Sequence, residues 1–129
     1  MTKGTNTSEV VFLEKQWRML LANKLHWQDS LTQSEAMTKA GLTCRVLDAL
    51  GRGIAMFSYI KEEDGTLRQA RGTLARGVSQ AFDKYKRIGG RPPRDNSNTD
   101  GTYVYWDLDA EGFRSFHAKN LIEIKTTDD

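Results

Sequence analysis

The sequence predicts an α+β domain in which one or two N-terminal helices precede four or five short antiparallel strands. Three observations predict it. Up to about residue 50 apolar side chains recur every three or four positions, and beyond it they form short apolar and aromatic runs, the change from a helical to a strand period. Turn sequences that end in glycine, Glu62-Glu63-Asp64-Gly65 and Asp109-Ala110-Glu111-Gly112, separate those runs. The 129 residues are 38% apolar and 28% charged with only two prolines, a composition that suits a single folded domain and excludes a collagen-like or wholly disordered chain.

Taken in order, residues 1–7 are small and polar and are expected to fray. Ser8-Glu9 opens a helix whose apolar positions Val10, Leu13, Trp17, Leu20 and Leu21 keep helical spacing, with Glu14 and Arg18 as an i,i+4 pair, and which runs to about Trp27. Thr32-Gln33-Ser34-Glu35 is a capping box: the Thr hydroxyl and the Glu carboxylate each satisfy an orphan backbone N–H. It starts a second helix with Met37, Ala40, Cys44, Leu47 and Leu50 on one face, weakened at Gly41, and Gly51-Arg52-Gly53 stops it through a left-handed glycine. Ile54 to Lys61 reads as a strand, Asp64-Gly65 as a hairpin turn and Thr66 to Leu74 as the returning strand. Thr102 to Leu108 and Phe113 to Ala118 form a second hairpin. Lys119-Asn120-Leu121 is a one-turn connector, and Ile122-Glu123-Ile124 adds a last strand. Between the hairpins lie 27 residues, Ala75 to Gly101. Val78 to Ile88 can form a short helix with Val78, Phe82 and Tyr85 on one side. The rest, Gly- and Pro-rich, is irregular, and so long a connection is usually functional or mobile. The expected division is 1–31 as tail and helix, 32–124 as the barrel domain with its leading helix and long basic loop (75–101), and 125–129 as a polar tail.

Four or five short strands, a long loop after the second and a one-turn connector before the last describe a small SH3-like β-barrel. Phe57-Ser58-Tyr59-Ile60-Lys61, Asp64-Gly65-Thr66-Leu67-Arg68 and Ala70-Arg71-Gly72-Thr73-Leu74, followed by Tyr105-Trp106-Asp107-Leu108, Phe113-Arg114-Ser115-Phe116 and Asn120-Leu121, resemble the WYL-like, Sm/SH3-type barrel proteins of bacteria and their phages over roughly residues 35–124. The resemblance implies the barrel fold and an association with regulators and with nucleic-acid or nucleotide-like ligands. The branch resembled has no assigned activity, and a fold does not by itself imply a function.

The net charge is only +2, but it is unevenly placed. Residues 68–94 carry eight basic side chains against Asp83, whereas residues 95–129 carry three basic against eight acidic. Local density sets the potential that an anion meets, because salt screens exposed charges beyond about 8–10 Å. Arg68 and Arg71 stand three apart on a strand and are expected on opposite faces, one at a site and the other meeting Glu62, Glu63 or Asp64. Arg87, Arg91 and Arg94 straddle Gly89-Gly90 and Pro92-Pro93, a flexible finger whose guanidinium forks suit phosphate. Arg114 joins them as a phosphate candidate. Tyr103 and Tyr105 share a strand face with Asp107, opposite Val104, Trp106 and Leu108; the latter set, being more apolar, is expected to be core. The two tyrosines are then either stacking platforms for bases or, the preferred use, packed on the N-terminal helices with hydroxyls outward. Trp17 and Trp27 are expected as core residues.

Catalytic constellations are sparse. His26 and His117 are distant in sequence, and Ser115 and His117 share one strand with no nucleophile elbow. Asp107, Asp109 and Glu111 offer at most a weak cation turn without the calcium-loop glycine. Cys44 stands alone, which excludes an intrachain disulfide and a cysteine zinc site and fits a small apolar role. There is no run of 18 apolar residues, and the first residues lack a secretory h-region; a cytoplasmic location is expected. The reading is a non-enzymatic intracellular module without cofactor or metal. It binds nucleic acid or a nucleotide, as in a phage or mobile-element accessory or regulatory protein. The competing reading is a protein-interaction module that binds a host factor or itself through a helix face bearing Phe12, Trp17 and Met19. A narrower option is sequestration of a small signalling nucleotide.

Overall fold

The computed structural model describes the chain from Thr7 to Lys125, with side chains from Leu13 onward; the Val10 and Phe12 side chains and the tail beyond Lys125 lie outside the described residues. Helix α1 spans Thr7–Trp27 and α2 spans Gln33–Arg52. The capping box forms as expected: the Glu35 N–H donates to the Thr32 hydroxyl at 3.0 Å and the Thr32 N–H to the Glu35 carboxylate at 2.9 Å. Helix α2 stops at Gly53, which caps with an extended φ of 169° rather than the left-handed conformation expected. Its buried stripe is Ala36, Ala40, Thr43, Val46 and Leu50, rotated from the expected one, so Met37 is exposed and Cys44 and Leu47 half-buried. Small side chains at 36 and 40 let α1 and the sheet approach closely. Thr43 is tolerated there because its hydroxyl donates to the Lys39 carbonyl at 2.8 Å.

Five antiparallel strands follow: β1 (Ala55–Ile60), β2 (Leu67–Thr73), β3 (Thr102–Asp107), β4 (Gly112–His117) and β5 (Leu121–Lys125). A short helix α3 (Gln80–Arg87) lies between β2 and β3, and a one-turn 3₁₀ helix (Ala118–Asn120) lies between β4 and β5. The sheet order is β4-β3-β2-β1-β5, which leaves β4 and β5 at its edges. Phe57 pairs with Ala70, Tyr59 with Arg68, Tyr103 with Phe116 and Tyr105 with Arg114. Directly opposed residues share a face, so these positions line one side of the sheet. Leu21, Leu25, Val46 and Leu50 join Phe57, Tyr59, Tyr103, Tyr105 and Phe116 in the core. The rings pack in tilted and edge-to-face contacts; Phe57 lies 5.1 Å from Tyr105 and 5.3 Å from Phe116, centroid to centroid.

The tyrosine face is therefore the main core, and the expectation that Val104, Trp106 and Leu108 fill that role is corrected. Tyr103 and Tyr105 are fully buried, so packing holds and base stacking does not. Nor do their hydroxyls point outward. Tyr105 bonds the Tyr59 hydroxyl at 2.7 Å, and Tyr103 donates to the Asn98 carbonyl at 3.1 Å. Pairing two phenols lets a polar atom sit in the core at little cost. Gly72 on β2 makes room, since a Cβ there would lie 2.4 Å from Tyr105 Cδ2. On the opposite face Trp106 is buried beneath Phe82 of α3 (5.4 Å) and Phe113 of β4 (5.1 Å), a second, smaller apolar layer. On α1, Trp17 is half-buried against Tyr103, while Trp27, expected in the core, is 76% exposed. Leu13 and Leu20, also expected inside, are exposed.

The connection between β2 and β3 is not a free finger. β2 pairs with β3 only at Gly72–Asp107 and Thr73–Trp106, and the Asn96 side chain takes the vacated place. Its amide donates to the Val104 carbonyl at 2.8 Å, and its oxygen accepts the Val104 N–H at 2.9 Å. Asp95, Asn98 and Asp100 each accept a backbone N–H two residues on, and Trp17 Nε1 donates to the Ser97 carbonyl at 3.0 Å. Among the described residues no helix is long and apolar enough to cross a membrane.

Candidate functional site

A cavity of about 790 Å³ lies between the free edge of β4 and the β1–β2 hairpin. Three arginines from three separate segments line it: Arg68 from β2, Arg94 from the pinned loop and Arg114 from β4. Strand register explains two of them. Opposite Tyr59 and Tyr105, Arg68 and Arg114 fall on the core face but at its end, where the helices no longer cover it and a guanidinium reaches water. The Tyr59 ring, half of the buried phenol pair, forms part of the wall. Burial pushes both phenols above their usual range, so they stay protonated.

The arginines differ in how they are held. Arg114 Nε donates to Asp107 Oδ2 at 2.7 Å. Asp107 is buried, and its other oxygen accepts the N–H groups of Asp109 and Ala110 at 2.8 and 2.9 Å. Burial alone would raise that carboxyl, but the two N–H donors and Arg114 outweigh it and hold Asp107 below the usual carboxylate range. Arg94 pairs with Asp100, while its own Nε is buried without an acceptor. Lys61 pairs with Asp64 at 3.4 Å. Arg68 is the one cation lining the cavity without a carboxylate partner among the described residues. Glu62 and Glu63 also line the cavity, but Glu62 is turned toward the 3₁₀ helix, where it meets Lys119 at 3.2 Å and Asn120 at 3.3 Å. Those contacts hold its carboxyl below the usual carboxylate range.

His117 forms another part of the wall. Burial lowers its pKa; the Lys24 and Lys119 charges act in the same direction and Asp29 and Glu62 oppose them. Its Nδ1 accepts the Lys119 N–H at 3.2 Å, which leaves the ring proton of the neutral form on Nε2. Sequence reasoning missed His117, Phe113, Val104 and Pro93 as wall residues. For Phe113 and His117 the signal was available, since both alternate along β4 on its outer face.

The other candidates are not brought together here. Arg71 does face away from Arg68, as expected, but meets Asp109 at 3.4 Å rather than the hairpin acids. Arg87 is exposed at the end of α3 and lines none of the cavities described. Arg91 belongs to a neighbouring cavity of about 450 Å³. Tyr103 and Tyr105 are interior. Asp107 and Asp109 are engaged by arginines and backbone N–H groups, which leaves the proposed cation turn no free ligand set; among the described residues no group of three or more His, Cys, Asp or Glu is placed to hold a metal ion. The His26 Nδ1 bonds the Leu31 carbonyl at 2.8 Å, where it closes the α1–α2 turn. Cys44 is half-buried, and burial raises its thiol, so it has little thiolate character.

Five antiparallel strands in this order, with a 3₁₀ turn before the last, define a small SH3-like barrel, here with one end left open as a cationic cavity. The family described as WYL_2, Sm-like SH3 beta-barrel fold, matches residues 43–122, more than half of the chain. The chain belongs to that family. No curated protein matches it, and neither does any solved structure.

Proposed function

We propose that this protein is a non-enzymatic intracellular binding module whose cavity takes a phosphate-bearing ligand, nucleic acid or a nucleotide. The observation that carries the reading is the meeting of Arg68, Arg94 and Arg114, distant in sequence, on one cavity, with Arg68 unneutralised by any described carboxylate. Guanidinium forks recognise phosphate by paired hydrogen bonds, and the half-buried Phe113 ring and Val104 supply an apolar surface for a base. Such a module suits an accessory or regulatory protein of a phage or mobile element. The test is calorimetry with mono-, di- and cyclic nucleotides and short oligonucleotides across a salt series. Binding that weakens with salt and is lost in Arg68→Ala supports the reading. Salt-insensitive binding, or binding unchanged in that variant, refutes it.

One observation favours the protein-interaction reading. Leu13, Leu20 and Trp27 are all more than half exposed at seven-residue intervals along α1, and Met19 is half exposed beside them. Trp17 is not available to a partner in the same way, because it packs on Tyr103 and bonds Ser97. Leu20→Glu with phosphate binding retained but association lost would support that role, and it leaves the core residues Leu21 and Leu25 of α1 in place.

A further inference from the structure

The second cavity, about 450 Å³, shares two wall residues with the first: Arg94 and Val104 line both. One arginine side chain thus stands between two concave spaces on the same surface. The second space has an apolar floor, with Leu74, Phe82 and Pro92 beside Val104, one carboxylate, Asp95, whose Oδ1 accepts the Ser97 N–H, and two further cations, Lys86 and Arg91. Both are exposed, and neither has a carboxylate partner among the described residues. Each cavity therefore repeats one pattern, an apolar surface with unneutralised cation at its edge, and Arg94 is the joint. Its Nε is buried without an acceptor.

Resting on the phosphate-binding reading above, we infer that the ligand is an extended single strand of nucleic acid that crosses Arg94 and occupies both cavities. A mononucleotide would use one cavity and leave Lys86 and Arg91 idle. A duplex is read by elements that project into its grooves, whereas this surface is concave. A single strand offers a repeating phosphate for the cations of each cavity, with unstacked bases free to enter the apolar spaces.

The experiment compares fluorescence anisotropy of labelled oligothymidylates of one, two, four and eight nucleotides, plus a hairpin duplex, on wild type, Lys86→Glu/Arg91→Glu and Arg68→Ala. The first variant changes only exposed side chains, and its fold is checked by circular dichroism. Affinity is expected to rise with length and the salt slope to steepen by about 0.7 for each phosphate engaged. At ~0.1 M salt each lost phosphate contact then costs about 5-fold. Lys86→Glu/Arg91→Glu should therefore weaken the eight-nucleotide strand at least that much and leave the mononucleotide unchanged. Mononucleotide and octanucleotide binding with equal affinity, a double variant that weakens both alike, or a duplex bound as tightly as the strand each overturns the two-cavity inference while the phosphate site stands. Absence of binding to every probe overturns both.

Discussion

Asp107→Asn should lower stability and raise anion affinity in the same protein. In the wild type, Asp107 accepts two backbone N–H groups on one oxygen and Arg114 Nε on the other. Asparagine keeps an acceptor for the backbone pair but places a donor or a neutral oxygen before Arg114. A hydrogen bond to a charged group is worth about 1.5–3 kcal/mol, and neutral versions of the other two about half as much, so a loss of roughly 2–4 kcal/mol is expected. For a chain of this length that lowers Tm by roughly 6–20 °C. The effect has a pH signature. The folded carboxyl lies below its unfolded value of about 3.9, so its contribution is complete above that pH and is lost as pH falls through the folded value. The variant should therefore lose the part of wild-type acid destabilisation that falls below about pH 4. Affinity moves the other way. An anion on the far side of Arg114 would lie about 7 Å from the Asp107 carboxylate, where repulsion is roughly 0.6–2.4 kcal/mol between bulk-water and near-surface dielectric. Its removal should tighten phosphate or oligonucleotide binding by about 3- to 50-fold. Thermal melts at pH 7 and over pH 2–5, with anisotropy well below Tm, provide both readings. Weaker binding alongside lower stability would refute the idea that Asp107 competes with the ligand for Arg114.

Three further outcomes are expected. Gly72→Ala places a Cβ 2.4 Å from the Tyr105 ring and 3.0 Å from the Trp106 carbonyl, and should destabilise by about 1–3 kcal/mol or prevent folding, read by denaturant melts. Thr32→Ala removes the hydroxyl that caps α2 and should cost about 1 kcal/mol with anion binding unchanged. His117 is held below its unfolded value near 6.5, so its stabilisation is present above that pH and declines as pH drops below it; His117→Gln should flatten the melting temperature between pH 7 and 5.

What the sequence revealed depended on how local the cause was. The capping box at Thr32–Glu35, the Asp64-Gly65 hairpin and the 3₁₀ turn before the last strand are set by near neighbours, and all were legible. The choice of main core face was not. Val104 and Trp106 are more apolar than Tyr103 and Tyr105, but the Tyr59–Tyr105 hydroxyl pair satisfies itself inside, and α3 supplies a second layer that needs Trp106. The path of the long loop was not legible as a whole: its Gly-Gly and Pro-Pro steps suggest a flexible finger, whereas Asp95-Asn96-Ser97-Asn98 supplies side-chain turns that direct the backbone. Of the arginines close together in sequence, Arg87, Arg91 and Arg94, only Arg94 reaches the site. Arg68 and Arg114, far apart, join it because each sits opposite a tyrosine of the same core face, and only strand pairing shows that.

The carboxylates beside these arginines do not cancel the site; they grade it. Arg94 and Asp100 are both more than a third exposed or nearly so, and an exposed pair of this kind is worth at most about 1 kcal/mol, so a ligand phosphate can replace Asp100 at small cost. Asp107 is buried and triply bonded, so Arg114 is anchored and presents only its outer N–H groups. Arg68 has no such partner and meets the ligand with nothing to displace. Truncation should separate these roles. Arg68→Ala is expected to cost the most affinity for the least stability. Arg114→Ala should lower both, because it leaves a buried carboxylate without its cation. Arg94→Ala should fall between them, with a larger loss for long ligands than short. Isothermal titration and thermal melts on the three variants test that order, and equal affinity losses from all three would mean that their carboxylates play no part in setting it.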